Sequence, residues 1–272
     1  MNLPRLRLNT SRLRFNTTGL RYALFFLAVY LIFLLITLPA ALIHRWSGSN
    51  AQIYGIEGTL WHGEAQALRI GTLTIDKPSW TFRPAALLRA STEMRVKADI
   101  AGGGIVAIVG RSLRGTLYAR DLRLNAVPVN ALVALSGEPD MGLTGRINAN
   151  IDSVSISGGE LHELDGKVEA SGLGLEPPLD IMLGGLTMQF ETDRRENRIR
   201  GVLQDTGGPL QAEGTVVLQP TGEYQFNGRA SARDGAASAL EASLNMLGRP
   251  GADGRIAITR NDRLPFDRYL PQ

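Results

Sequence analysis

Arg146-Ile147-Asn148-Ala149-Asn150-Ile151-Asp152 is the stretch that decides the fold class. Ile147, Ala149 and Ile151 alternate with polar neighbours, a period of two that puts apolar side chains on one face of an extended chain. Val154 and Ile156 resume the pattern after a slip of one residue, which predicts a β-bulge there. The same alternation recurs at 72–75, 121–125, 186–190 and 223–227. Each run reads as a half-buried antiparallel strand, one face on a core and one in water. No helical stretch long enough for a parallel crossover separates these runs.

Around this stretch glycine is dense: 31 in 272 residues, with only Gly19 before residue 48. Gly-Gly pairs at 158–159, 184–185 and 207–208 and a triple at 102–104 read as tight turns between strands, where positive φ is needed. Short x-Gly-x-apolar pieces at Gly58, Gly115, Gly145 and Gly214 repeat at irregular spacing, so the pattern predicts successive meanders rather than a strict solenoid. Three short helices are expected. Residues 84–89 place Pro84 at a helix start, and 128–135 begin on Pro128 with Gly137 just beyond. In 234–247, Asp234 is the expected cap, Ala236, Leu240, Leu244 and Leu247 form one apolar face, and Gly248 follows. Such helices are expected to plug sheet ends or cover edges.

The N-terminal part reads differently. Residues 22–43, YALFFLAVYLIFLLITLPAALI, carry no charge. As a helix they would span about 33 Å, enough for a hydrocarbon core of about 30 Å. Arg5, Arg7, Arg12, Arg14 and Arg21 precede the run without any acid, whereas the remaining 251 residues hold 24 basic and 26 acidic side chains. The positive-inside rule puts that flank in the cytoplasm. The run is longer than a signal-peptide core, and Pro39-Ala40-Ala41 is a poor cleavage site, so an uncleaved anchor is expected. The chain is thus expected to be mainly β: an N-terminal transmembrane helix, then a long, twisted antiparallel β-sheet body with a few short helices. The expected divisions are a cytoplasmic arm at 1–21, a transmembrane helix at 22–43 and a periplasmic β-rich domain at 44–272. The arginines serve topology in this reading, and no nucleic-acid partner is expected.

The residues also speak against several chemistries. Cysteine is absent, which excludes disulfides, thiolate metal sites and a cysteine nucleophile. His44, His62 and His162 have no ligand-spaced partner. Ser112 lacks the nucleophile-elbow spacing, and no phosphate-binding glycine loop precedes a helix. The expectation is no enzymatic activity, no cofactor and no metal. The run 193–198, DRRENR, is expected at a solvated hairpin tip.

The most distinctive stretch is Gly55-Ile56-Glu57-Gly58-Thr59-Leu60-Trp61-His62-Gly63-Glu64-Ala65, followed by Trp80-Thr81-Phe82-Arg83-Pro84-Ala85-Ala86-Leu87-Leu88. This pattern of Gly58, Thr59, Trp61, Gly63 and Ala65, then Trp80 and Pro84, just after an apolar segment, resembles the protein N family of the type II (general) secretion system. The later stretches 214–228 and 244–255 are similar to that family too. The resemblance implies a single-pass accessory component of the inner membrane with its body in the periplasm. It also implies kinship with AsmA-like folds, curved antiparallel sheets with an apolar concave side, and no catalytic residues. Trp61 and Trp80 have two readings: core aromatics at the sheet end nearest the anchor, or hot spots of an interface.

Two functions follow as expectations. The first is a structural component supporting export of folded periplasmic proteins across the outer membrane, its partners being the inner-membrane platform and periplasmic parts of the type II secretion system, met by strand addition at a sheet edge. The second is an AsmA-like lipid-binding or lipid-transfer module anchored in the inner membrane, with membrane and lipid as partners.

Overall fold

A computed structural model describes residues 26, 27, 29, 30, 33, 34, 37–40, 51–70, 73–136, 142–177 and 179–264. Alternation becomes strands along the whole body. The first are β1 (Ala51–Tyr54), β2 (Glu57–Gly58), β3 (His62–Glu64), β4 (Ala67–Ile70) and β5 (Leu73–Phe82). A 3-10 helix (Pro84–Arg89) leads into β6 (Ser91–Ile100), β7 (Gly103–Ser112) and β8 (Leu117–Pro128). Helix α1 (Val129–Ser136) then precedes β9 (Leu143–Ser157), β10 (Glu160–Leu175), β11 (Ile181–Asp193), β12 (Arg198–Gly207), β13 (Leu210–Leu218) and β14 (Glu223–Ala232). Helix α2 (Ser238–Leu247) and β15 (Ile256–Arg263) complete the order. Among the described residues these strands form one sheet, in the order β1-β4-β5-β6 and onward consecutively to β15, with the β2–β3 hairpin attached to β5. Every pairing between these strands is antiparallel.

Register explains the alternation. Ala149 lies between Leu124 and Val168, and Ile151 between Leu122 and Gly166. The row runs on through Met188 and Leu203 to Gly214. One face is therefore apolar across the sheet, while Arg123, Asn150, Lys167 and Gln189 form the polar row beside it. The slip at Asp152 is a bulge, visible as a register shift between β9 and β10 at Asp165 and Gly166. Asp121 on β8, at φ 50°, absorbs the matching extra residue, so β8 and β9 stay in step through this region.

The glycines meet the turn expectation only in part. Gly158 with Gly159, Gly207 with Gly208, and Gly102 do turn the chain at positive φ between successive strands, but Gly104, Gly184 and Gly185 lie inside strands, as do Gly214 and Gly228. For Gly214 and Gly228 the reason is an aromatic neighbour. They pair with each other, and a Cβ on either would come within 2.8 Å of the Phe226 ring. The ring takes the room that two side chains would need.

The two rims of the sheet differ. Register carried from strand to strand puts α1 and α2 at one rim, at the starts of β9 and β15, and the 3-10 helix at the other, between β5 and β6. Under α2, Leu240 and Leu244 pack on Ile181, Ala212, Ala230 and Ile256. Under α1, Ala131 packs on Leu73, Ile100 and Val127. At the opposite rim Leu161, Ile199 and Leu218 form a third cluster.

The helices correct the sequence reading in detail. Residues 84–89 form a 3-10 helix, and the second helix runs Val129–Ser136. The third starts at Ser238 rather than at Asp234, and its cap position, Ala237, makes no side-chain capping bond. Gly235 at φ 82° turns the chain there, with the Ala236 N–H donating to the Arg233 carbonyl, so a helix cannot start at Asp234. Leu247, expected on the apolar face, is exposed.

Much of the expected 22–43 helix lies outside the described residues, as does the arm at 1–21. Phe26, Leu27, Val29, Tyr30, Phe33 and Leu34 are helical and exposed. Thr37 to Ala40 have left the α-helix, and Pro39 forms a β-bridge with Thr59. Proline supplies the cause, because it lacks an N–H and disfavours helix at the residue before it. Among the described residues no helix is long and apolar enough to cross a membrane.

Candidate functional site

The tryptophan motif folds into one compact unit on the outer side of β5. Gly58 pairs with Gly63 across the β2–β3 hairpin, and Gly63 pairs with Trp80 of β5. Thr59 closes the hairpin loop: its N–H donates to the His62 carbonyl at 2.8 Å, and its Oγ1 accepts from the His62 N–H at 3.1 Å. Gly58 needs φ 87° for that turn, and a Cβ there would stand 2.6 Å from the His62 carbonyl oxygen. Gly63 is glycine for another reason. A Cβ would stand 2.5 Å from Cζ2 of Trp80 and 2.8 Å from the Glu57 carbonyl oxygen. The indole thus occupies the place where a side chain would be.

Both tryptophans are half-buried and belong to this unit rather than to the three apolar clusters. Trp80 Nε1–H donates to the Leu60 carbonyl at 3.1 Å. Trp61 packs edge-on against Phe82, with ring centroids 4.8 Å apart, and its carbonyl accepts from the Phe82 N–H. His62 Nδ1 lies 3.0 Å from Thr81 Oγ1. Ala65 is buried, its N–H donating to the Pro78 carbonyl. Pro84 opens the 3-10 helix, and Ala90, in the left-handed region at φ 55°, ends it. The hairpin loop also holds the chain leaving the apolar segment, since the Leu60 N–H donates to the Leu38 carbonyl at 2.9 Å.

A neighbouring cluster went unseen in the sequence. Glu93 on β6 is 2% exposed. Its carboxylate accepts from the Tyr118 hydroxyl at 2.9 Å, from Arg120, and from Arg83 at 3.4 Å. Tyr118 fits because Gly110 lies between it and Glu93 in register and leaves room for the ring. Nothing local in Thr92-Glu93-Met94 marks a buried acid, because its partners lie on other strands.

Elsewhere, 193–198 is a hairpin tip between β11 and β12. Hydrogen bonds from the backbone of Glu196, then of Arg195, hold the Asp193 carboxyl below its ordinary range against some desolvation. At Asp205, burial opposes the charge, but hydrogen bonds from Arg233, Ala212 and Gly207 outweigh it and lower the pKa. Among the described residues no group of three or more His, Asp or Glu could hold a metal ion.

The fold is thus a single long antiparallel sheet that carries a tryptophan-locked hairpin on β5. The family model described as type II secretion system (T2SS), protein N, matches residues 49–259, and the chain belongs to that family. It is 25% identical over 237 residues to the type II secretion system protein N of Aeromonas hydrophila, covering 85% of this chain and 92% of that one. The protein of the same name from Pectobacterium carotovorum is 26% identical over 216 residues, covering 76% of this chain and 82% of that one. The one from Vibrio cholerae is 24% identical over 220 residues, with 78% and 85% covered. No solved structure matches the chain.

Proposed function

We propose that the chain is a non-enzymatic, single-pass component of the inner membrane that supports type II secretion from the periplasmic side, in contact with the platform and periplasmic parts of that machine. The observation that carries this reading is the extent of the family match: it runs from just before β1 into β15, so the whole sheet is the family's unit. The anchor reading draws on the uncharged run 22–43 and its arginine flank. The sheet edge at β15 offers one mode of contact. Ala257, Thr259, Asn261 and Arg263 alternate with their neighbours along an exposed strand that pairs with β14 on its other side. Arg260, Asp262 and Arg263 near its end limit indiscriminate pairing there, so a partner strand must complement both signs of charge.

Deletion of the gene tests the reading. Loss of extracellular type II substrates, with their retention in the periplasm and recovery on complementation, is expected. Undiminished export with an intact machine would refute it.

A lipid-handling role rests on one observation: the cavity beneath α2, about 280 Å³, is lined mainly by Leu, Ile and Ala side chains, among them Leu183, Leu203, Leu210 and Ile258. Ligand pockets ordinarily span about 300–1,000 Å³. A space just below that range favours the scaffold reading. Stoichiometric lipid in mass spectra of the purified protein would reverse the preference.

A further inference from the structure

From the rim opposite α1 and α2 we infer that the sheet stands with one end against the bilayer surface, through a patch made by the 3-10 helix and the β7–β8 turn. The helix exposes Leu87 (56%) and Leu88 (91%), and the turn exposes Leu113 (84%). Single exposed leucines are ordinary. These belong to one patch, because the Leu113 N–H donates to the Ala90 carbonyl at 3.0 Å and ties the turn to the helix end. Arg89, Arg111 and Arg114 flank them, all exposed and without an ion pair among the described residues. No Asp or Glu occurs in 83–92 or 109–118. Apolar tips ringed by unneutralised arginines are the composition of an interfacial contact with anionic lipid, where the leucines enter the headgroup boundary and the guanidinium groups meet phosphate.

What selects lipid over another partner is continuity with the apolar N-terminal segment. Leu38 and Pro39 pair with the loop of the tryptophan hairpin, Trp61 packs edge-on against Phe82, and Phe82 lies two residues before the 3-10 helix. The segment read as an anchor therefore enters the body beside this patch. Helix α2 exposes Met246 and Leu247 as well, but at the other rim. A strand such as β6 or β7, ten residues long, separates the rims by about 33 Å. A flat membrane cannot meet both ends, and the anchor joins only one. The inference rests on the anchor reading, and its test separates the two.

The chain has no cysteine, so single labels can be placed in the full-length protein. Leu88→Cys, Leu113→Cys, Asn245→Cys and Phe33→Cys would each carry a nitroxide in vesicles of phosphatidylethanolamine and phosphatidylglycerol. Collision with lipid-soluble oxygen is then compared with collision with an aqueous nickel chelate. Circular dichroism checks that each variant keeps the sheet. Labels at 88 and 113 are expected to favour oxygen, and the label at 245, on α2, to favour nickel. Adding Arg89→Glu and Arg114→Glu should shift the labels at 88 and 113 toward nickel while leaving 33 unchanged. Labels at 88 and 113 as accessible to nickel as the one at 245 would overturn the proposal. If the label at 33 is in lipid at the same time, the anchor stands and only the rim contact fails. A label at 33 in water refutes the anchor, and the rim contact, which rests on it, falls with it.

Discussion

Replacing Gly63 by alanine should unlock the tryptophan hairpin. The new Cβ would lie 2.5 Å from the Trp80 ring and 2.8 Å from the Glu57 carbonyl oxygen. One obstacle is backbone of the paired strand β2, which cannot move without breaking the Glu57–Glu64 pairing. The other is a rigid ring held by its hydrogen bond to Leu60. Overpacking of this kind costs about 1–3 kcal/mol. Swinging the indole away also forfeits the Leu60 bond, about 1 kcal/mol. The hairpin would then open more easily by about 2–4 kcal/mol, and at 1.4 kcal/mol per tenfold its amides would exchange about 30- to 700-fold faster. Hydrogen exchange read by mass spectrometry on peptides covering 57–64 and 79–83 measures this directly, because Thr59 and Phe82 carry the protected N–H groups. Peptides from β12 to β14 serve as the internal control and should not change. Trp80→Leu in the Gly63→Ala background removes the ring obstacle, so the pair should cost about 1 kcal/mol less than the sum of the two single changes. Unchanged exchange in Gly63→Ala, or strict additivity with Trp80→Leu, would refute the idea that glycine is there to admit the indole.

Other outcomes follow from the same geometry. Glu93→Gln should destabilise by about 1–3 kcal/mol in urea unfolding, a figure held down because Arg83 and Arg120 are each more than a third exposed and can return to water. Asp205 has a lowered pKa in the folded state. Its contribution is present above the unfolded carboxyl value of about 3.9 and is lost as pH falls through the lower folded value. The stability gap between the parent and Asp205→Asn should therefore be constant near neutrality and narrow in acid below about pH 4. Leu240→Ala should cost about 2–5 kcal/mol because its side chain is 2% exposed, whereas Met246→Ala, on the same helix at 87% exposure, should stay within about 0.5 kcal/mol.

The sequence foretold those features whose cause is local. Ile147, Ala149 and Ile151 announced the apolar face, and the slip at Asp152 announced the bulge, because side-chain direction in a strand depends only on residue parity. Pro84 marked the start of the 3-10 helix because it fixes its own φ. What escaped was set by neighbours distant in the chain. Why Gly214 stands inside a strand was not legible, because the Phe226 ring that takes the room of its side chain comes from the paired strand, twelve residues on. The start of α2 was misread at Asp234, a good capping residue, because Gly235 takes a positive φ there. In the candidate site, Gly58, Thr59, Trp61, Gly63, Ala65, Trp80 and Pro84 were all legible as a motif. Their joint purpose was not, since the pairing of Gly63 with Trp80 spans seventeen residues. The Glu93 cluster was invisible for the same reason, its partner Tyr118 lying 25 residues on.

The proposed contact of this sheet with the type II secretion machine would run along the β15 edge. Site-specific photocrosslinking in living cells tests it most directly, with the crosslinker at Thr259 or Asn261 on the β15 edge and at Asn245 on α2 for comparison. Edge positions should capture inner-membrane or periplasmic components of the secretion system, and these products should vanish when the captured component is deleted. A chain present at its normal level in the membrane fraction that catches no such component from any position would contradict a role in contact with the machine.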